Sequence, residues 1–253
     1  MSYEVYMTGK KSGSFFDFIK TIAYAVAIAL VVRTVAYEPF NIPSKSMLPT
    51  LEVGDYLFVS KFSYGYSKHS LPFSLPLIPG RIFFTAPERG DVAVFKNPFD
   101  NRTDFIKRIV GLPGDKIQMR KGLLYVNDKP VLKRRAENYA EDLSNGHFRS
   151  VLQYEETLPN GRKHRVLEVQ LDRGELDDTG IYSVPKGHYF VMGDNRDNSQ
   201  DSRVIQQVGF IPQDNLVGRA EILFFSTNGK SVWWNPVSWW TAVRGHRLLK
   251  LIK

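Results

Sequence analysis

"DFIKRIVGLPGD", residues 104–115, reads as a strand that runs into a sharp turn. With alternating side chains, Phe105, Lys107 and Ile109 share one face, and Ile106, Arg108 and Val110 share the other. Gly111, Pro113 and Gly114 then turn the chain. Each face holds a cation among hydrophobes. One account is an edge strand whose long side chains reach water. The other is a desolvated lysine: burial disfavours the ammonium and makes a neutral amine available as a base. Arginine does not release its proton, so Lys107 is the candidate and Arg108 is not.

Working outward, the same short-strand signature recurs in DVAVF (91–95), KIQM (116–119), LLYV (123–126), RVLEVQL (165–171) and HYFVM (188–192). These segments are β-branched or aromatic-rich and bounded by turns. Asn127-Asp128 and Asn160-Gly161 read as hairpin turns. No repeating strand–helix pattern occurs, so a doubly wound parallel sheet is excluded in favour of a mostly β fold. Residues 61–89, rich in Pro, Ser, Phe and Gly, and residues 133–180, with mixed charges, read as insertions. The second is expected to be a solvated β-hairpin subdomain.

The chain has 253 residues, no cysteine and a net charge of +8. Disulfides and thiolate metal sites are therefore excluded. The positive charge points to nucleic acid or an anionic membrane. There is no zinc-finger spacing, RNA-binding aromatic signature or long Lys/Arg run, so nucleic acid is set aside.

The N-terminus supports a membrane. TIAYAVAIALVV (21–32) is apolar, and its extension to residues 15–37 gives a helix of about 34 Å, enough to cross the ~30 Å hydrocarbon layer. Lys20 and Arg33 lie near opposite ends and can snorkel. The alternatives are a cleavable signal peptide and a buried core helix. Arg33 directly after the run speaks against cleavage at Thr34-Val35-Ala36. Lys10, Lys11 and Lys20 precede the run, which places the N-terminus in the cytoplasm and the rest outside. The C-terminal SVWWNPVSWWTAVRGHRLLKLIK reads either as a final helix on the core or as an interfacial segment, with Arg244, Arg247, Lys250 and Lys253 on lipid phosphates.

Two further segments carry chemistry. In IPSKSMLPTL (42–51), Pro43 and Pro49 favour an extended backbone at Ile42 and Leu48. Ser44 and Ser46 then face one way and Lys45 the other. In GDNRDNSQDSR (193–203), a calcium loop fails because the glycine and the closing glutamate are missing in both registers. The density of Asp, Asn, Arg and Ser after an apolar strand suggests a buried hydrogen-bond network beside a site. His188 is the one histidine placed to complete a serine triad; a Ser-Lys pair needs no histidine.

Taken in order, EPFNIPSKSMLPTL, RGDVAVFKNP, FIKRIVGLPGDKI and GDNRDNSQDSR resemble the successive sequence boxes of bacterial type I signal peptidase (leader peptidase), behind the membrane anchor that family expects. The resemblance implies an antiparallel β-sheet catalytic domain of the signal-peptidase/SOS-repressor type. It divides the chain into a cytoplasmic tail (1–14), a transmembrane helix (15–37), a catalytic domain in two parts (38–132 and 181–230), the inserted hairpin subdomain (133–180) and a Trp-rich basic interfacial C-terminus (231–253). By motif position it makes Ser46 the nucleophile and Lys107 the general base. Ser44 and the Ser46 backbone become the oxyanion donors. Ser199 orients the lysine, and Asp201 and Arg203 form a supporting ion pair. Phe40, Ile42, Met47, Leu51, Phe105 and Ile106 are implied to line pockets for small residues of an Ala-x-Ala site. Lys45 stands where a small residue is common. No metal and no cofactor are required. The implied partners are preprotein signal peptides, an anionic bilayer and, as a candidate contact, the secretion translocon; the implied location is the inner (plasma) membrane, with the catalytic domain periplasmic. Two alternatives stand beside this reading: a self-cleaving Ser-Lys regulator like the SOS-response repressors, for which residues 1–37 supply no DNA-binding domain, and a non-catalytic membrane-tethered binding protein on the same scaffold.

Overall fold

The computed structural model describes residues 15–143, 147–169, 174–229, 238 and 241–252. The expected tail, and all four tryptophans of the C-terminal segment, lie outside the described residues. Phe15–Val35 form one helix with no residue buried against the rest of the chain. Its 21 residues span about 32 Å. Arg33 closes it by pairing with Glu38 at 2.5 Å.

The main sheet is antiparallel, with strand order Tyr37–Asn41, Asp55–Ser60, Leu216–Ser226, Val92–Lys96, Asp104–Gly111, His188–Met192 and Ile211–Pro212. Alternation in the Val92–Lys96 strand sends Val92 and Val94 to one core and Ala93 and Phe95 to another. Both faces are therefore covered, as a central strand requires. Leu57 and Val59 of the second strand point inward to join Val92 and Val94. Tyr56 and Phe58, which alternate with them, turn outward onto an aromatic surface with Phe224 and Phe225.

Leu216–Ser226, the longest strand, lies between the Asp55–Ser60 and Val92–Lys96 strands and was not foreseen. Its pairing slips at three places, and Arg219 and Glu221 interrupt its apolar run. Gly218 lets it approach the neighbouring strand: a Cβ there would lie 2.4 Å from the Ser60 carbonyl oxygen.

The segments read from sequence appear as Val92–Lys96, Asp104–Gly111, Lys116–Arg120, Leu123–Val126, Lys163–Glu168 and His188–Met192. Asn127 and Asp128 both take positive φ and join Leu123–Val126 to Lys129–Pro130 as a tight hairpin. Asn160-Gly161 lie in the loop between Phe148–Thr157 and Lys163–Glu168, which pair antiparallel.

Two expectations require correction. The region from Leu132 to Glu168 does form a separate four-stranded sheet, but its charges are not all solvated. Glu156 is 0% exposed, and Glu141, His164 and Glu168 are buried with it: Glu156 and His164 face the polar loop that follows Met192, Glu141 takes Lys45 and Arg149, and Glu168 takes Lys133. Arg247 is likewise not at a lipid surface. It is buried, with its guanidinium on Asp55 at 2.5 and 3.0 Å and on Glu52 at 2.8 Å. Arg244 also pairs with Glu52 and donates to the Thr227 carbonyl at 2.6 Å. Residues 238 and 241–242 are helical, and the last residues form a tight helical turn, Gly245–Arg247, and a short strand, Lys250–Leu251, on the longest strand.

Candidate active site

Three segments converge. The first leaves the Tyr37–Asn41 strand, continues its pairing through Ile42, whose N–H donates to the Asp55 carbonyl at 2.9 Å, and then folds into a turn, so the extended geometry expected at Leu48 is not found. Leu48 N–H donates to the Lys45 carbonyl at 3.2 Å and Leu51 N–H to the Met47 carbonyl at 2.9 Å. The turn nonetheless brings the two hydroxyls together: Ser44 Oγ and Ser46 Oγ are 3.2 Å apart. Met47 and Leu51 are 0% exposed within the core. They anchor the turn from beneath and present no surface to a ligand, which corrects their expected place as pocket lining. Ile42 is buried in the same cluster, with Phe40 and Ile106 partly exposed beside it. Phe105 lies on the opposite face of its strand, against the other core.

The second segment is the Asp104–Gly111 strand. Residues 104–108 pair with Val92–Lys96, while His188–Met192 reaches only from 108 to 111 on the other side. The second edge of residues 104–107 is therefore open. Lys107 is 4% exposed, and its Nζ is hydrogen-bonded to Ser46 Oγ at 2.8 Å and to the Ile106 carbonyl at 2.9 Å. The ring of Phe105 lies 5.4 Å from the amine. Burial is the main cause that pulls the Lys107 pKa down from 10.5 to about 8; Asp201 and Asp194 oppose it. Arg108, on the opposite face, is 1% exposed, so neither cation snorkels.

The third segment is the loop after Met192. Arg203 grips Asp201 with two bonds of 2.9 Å, and Gly193 N–H donates to Asp201 at 3.0 Å. Arg203 holds the Asp201 carboxyl below its usual range against the opposing effect of burial. Ser199 Oγ is buried and completes no hydrogen bond to Lys107. It packs on Gly193, where a Cβ would meet Ser199 Oγ at 2.2 Å and the Ser46 carbonyl at 2.5 Å. Glycine is thus what allows the loop to close on the nucleophile's backbone.

Several residues around the site escaped the sequence reading. Arg108 makes a two-pronged pair with Asp194, at 2.8 and 2.7 Å, and Asp194 also accepts from Thr50 Oγ1 at 2.5 Å. Arg196 makes a second buried fork with Glu156, at 2.6 and 2.5 Å. His164 sits between the two forks, 3.5 Å from Glu156 and 4.0 Å from Asp194. Burial, with Arg108 beside it, pushes its pKa down to about 4, so it is neutral. The available signal was two arginines and two acids with no assigned partner, in segments separated along the chain. His188 bonds to the Lys186 carbonyl at 2.9 Å, near the end of its strand remote from the loop. Lys45 points away from Lys107 and pairs with Glu141 at 2.8 Å. Among the described residues there is no group of three His, Cys, Asp or Glu side chains placed to hold a metal.

Comparison with known proteins gives a consistent family. The family model described as signal peptidase, peptidase S26, matches residues 15–225. Signal peptidase I of Rickettsia canadensis (strain McKiel) is 43% identical over 223 residues, covering 85% of this chain and 81% of that protein. Signal peptidase I of Rickettsia typhi (strain ATCC VR-144 / Wilmington) is 41% identical over 222 residues, with the same two coverages, 85% and 81%. A crystal structure of a signal peptidase I from Enterococcus faecalis V583 matches at 26% identity, over 53% of this chain and 97% of that one, with a TM-score of 0.30.

Proposed function

This chain belongs to the signal peptidase family, peptidase S26, and on that premise we propose that it removes signal peptides by a Ser46–Lys107 dyad that cuts after small residues. That it is a membrane-anchored hydrolase acting on signal peptides follows from the family and the apolar helix. The dyad and the cleavage preference are the further steps. The observation that carries the dyad is the 2.8 Å contact between buried Lys107 Nζ and Ser46 Oγ.

The chemistry is acyl transfer. Neutral Lys107 takes the Ser46 hydroxyl proton, and Oγ attacks the scissile carbonyl carbon. The oxyanion is held by the Ser46 N–H and the Ser44 hydroxyl. Among the described residues the Ser46 N–H donates to no protein acceptor, so it is free for that role. Collapse breaks the C–N bond, and Lys107 returns its proton to the leaving amine. Water, deprotonated by Lys107, then cleaves the ester and restores Ser46. Each oxyanion donor is worth about 3–4 kcal/mol of barrier. Asp201 and Arg203 brace the loop that carries Ser199, and Ser199 packs on Gly193 behind the site.

The open edge at residues 104–107 and the free edge of Tyr37–Asn41 suit an extended peptide that pairs as a strand. Phe40 and Ile106, partly exposed beside the buried Ile42, are the apolar groups offered to its side chains, and a shallow apolar surface of this kind suits Ala better than a bulky residue. A preprotein with Ala at the first and third positions before the bond should be cut once, at that bond. Replacing the Ala before the bond by Phe should abolish cutting. Equal cutting of both substrates would refute the pocket assignment.

Catalysis should follow the ionisation of Lys107. Because the base must be neutral, kcat/KM should rise about tenfold per pH unit below its pKa and level off above pH 8, where Lys107 loses its proton. A pH–rate profile that is flat from 6 to 9 would remove Lys107 from the base role.

The basic residues before the helix support a cytoplasmic N-terminus and a catalytic domain outside the inner membrane. The outward aromatics Tyr37 and Phe62, 5.5 Å apart at the foot of the helix, suit a lipid headgroup layer, which an anionic bilayer would supply. Protease added outside spheroplasts should digest the domain; protection of the domain would reverse the orientation.

A further inference from the structure

We propose that Asn195 aims the oxyanion donor of Ser46, and that the inserted sheet exists in part to hold Asn195. The inference rests on the Ser46–Lys107 reading. Asn195 is buried. Its Nδ2 donates to the Lys45 carbonyl at 3.1 Å, and its backbone N–H donates to the Ser46 carbonyl at 3.1 Å. The Lys45 carbonyl and the Ser46 N–H belong to one planar peptide unit and point in opposite directions. Fixing the carbonyl therefore fixes the direction of the N–H. A peptide unit in a turn rotates with little movement of its neighbours, and such a rotation would turn the donor out of the oxyanion hole. Apart from Asn195, only the Leu48 N–H, at 3.2 Å, holds this carbonyl among the described residues.

Asn195 is in turn held by the inserted sheet. Leu167, at the end of the Lys163–Glu168 strand, forms a parallel bridge with Asn195. Leu167 N–H donates to the Asp194 carbonyl at 2.8 Å, and Arg196 N–H to the Leu167 carbonyl at 3.0 Å. The Glu156 carboxylate clamps the Arg196 guanidinium, whose Nε reaches the Gly193 carbonyl at 3.3 Å. Arg203 holds the Arg196 carbonyl at 2.6 Å. Glu141 of the same sheet takes the Lys45 side chain at 2.8 Å. The insertion thus braces the Lys45–Ser46 peptide from both sides. Asn195 and Glu156 touch neither substrate nor reacting atoms; they are positioning residues.

The test uses the full chain in detergent with a preprotein substrate and two peptide probes. One probe is a peptide aldehyde ending in alanine: Ser46 Oγ adds to its carbonyl carbon, and the resulting oxygen occupies the hole. The other is the matching peptide alcohol, which has no carbonyl to place there. Asn195→Asp replaces the donor by a carboxylate that repels the Lys45 carbonyl. It should lower kcat and aldehyde affinity together, by about 10- to 100-fold. KM and alcohol affinity should stay within about twofold, since ground-state binding is untouched. Asn195→Ala and Glu156→Gln should show the same split with smaller loss. Unchanged kcat in the folded variants, or a parallel loss of alcohol affinity, would overturn the proposal. Ser46→Ala separates this from the underlying reading: if it is inactive while Asn195→Asp is fully active, only the positioning role fails.

Discussion

Lys107→Met is expected to abolish turnover while making the protein more stable. The two effects have one cause. Burial brings the amine to a pKa of about 8 from 10.5, which corresponds to about 3 kcal/mol against the ammonium at pH 7. Methionine has a similar length and no charge. The lost hydrogen bonds to Ser46 and Ile106 offset about 1 kcal/mol each. A net gain of about 1–2 kcal/mol in unfolding free energy should remain at pH 7. The sign with pH follows from proton binding. Between pH 8 and 10.5 the unfolded chain holds a proton that the folded chain has released. Wild-type stability therefore rises with pH across that window, and the advantage of the variant disappears by its upper end. Catalysis goes the other way. Without a base at Ser46 Oγ the rate should fall by about 10⁴-fold or more, the scale seen when one member of a nucleophile–base unit is removed. Denaturant titration and a cleavage assay on the same preparation check both. A variant that loses stability and activity together would make Lys107 a structural residue.

Asp194→Leu should be among the most destabilising single changes in the catalytic domain. Arg108 is 1% exposed, and its guanidinium is satisfied chiefly by Asp194. Removing the carboxylate leaves a buried, uncompensated charge, at a cost of about 3–5 kcal/mol. The exposed Lys163–Glu155 pair at 3.2 Å is the control, since loss of a surface pair changes stability by less than about 1 kcal/mol. Equal effects of Asp194→Leu and Lys163→Gln in denaturant titration would show that the Arg108 fork is not supporting the fold. The same experiment bears on the site, because Asp194 joins Arg108 to Thr50 and so ties the strand of Lys107 to the turn of Ser46.

What could be read in the chain depended on how local the signal was. Val92–Lys96 and Asp104–Gly111 are legible because alternation is a two-residue pattern and both faces are apolar. The Leu216–Ser226 strand was hidden by its slips in register, each of which moves the alternation to the other face. The site was legible as boxes, and its geometry only in part. Ser44 and Ser46 do share a side, but a turn rather than an extended backbone puts them there. That Lys107 is desolvated could be argued from its apolar neighbours. That Arg108 is equally buried could not, because Asp194 lies 86 residues away. Likewise Arg247 looked like a surface cation next to leucines, and only the fold brings it to Asp55, 192 residues distant. Glu156 was lost among the charges of a segment that reads as solvated, although its partner Arg196 stands within the polar box that was singled out. Long-range ion pairs carry no sequence period, so composition alone reports such residues as surface.

The most direct test of the central claim is cleavage of a preprotein bearing an Ala-x-Ala site by equal amounts of wild type and Ser46→Ala in detergent. With Ser46 as nucleophile, wild type releases the mature protein at the single expected bond, and Ser46→Ala releases none within a rate range of about 10⁴. Cleavage by Ser46→Ala at the wild-type rate and bond would contradict the account, since no other hydroxyl stands 2.8 Å from the Lys107 amine among the described residues.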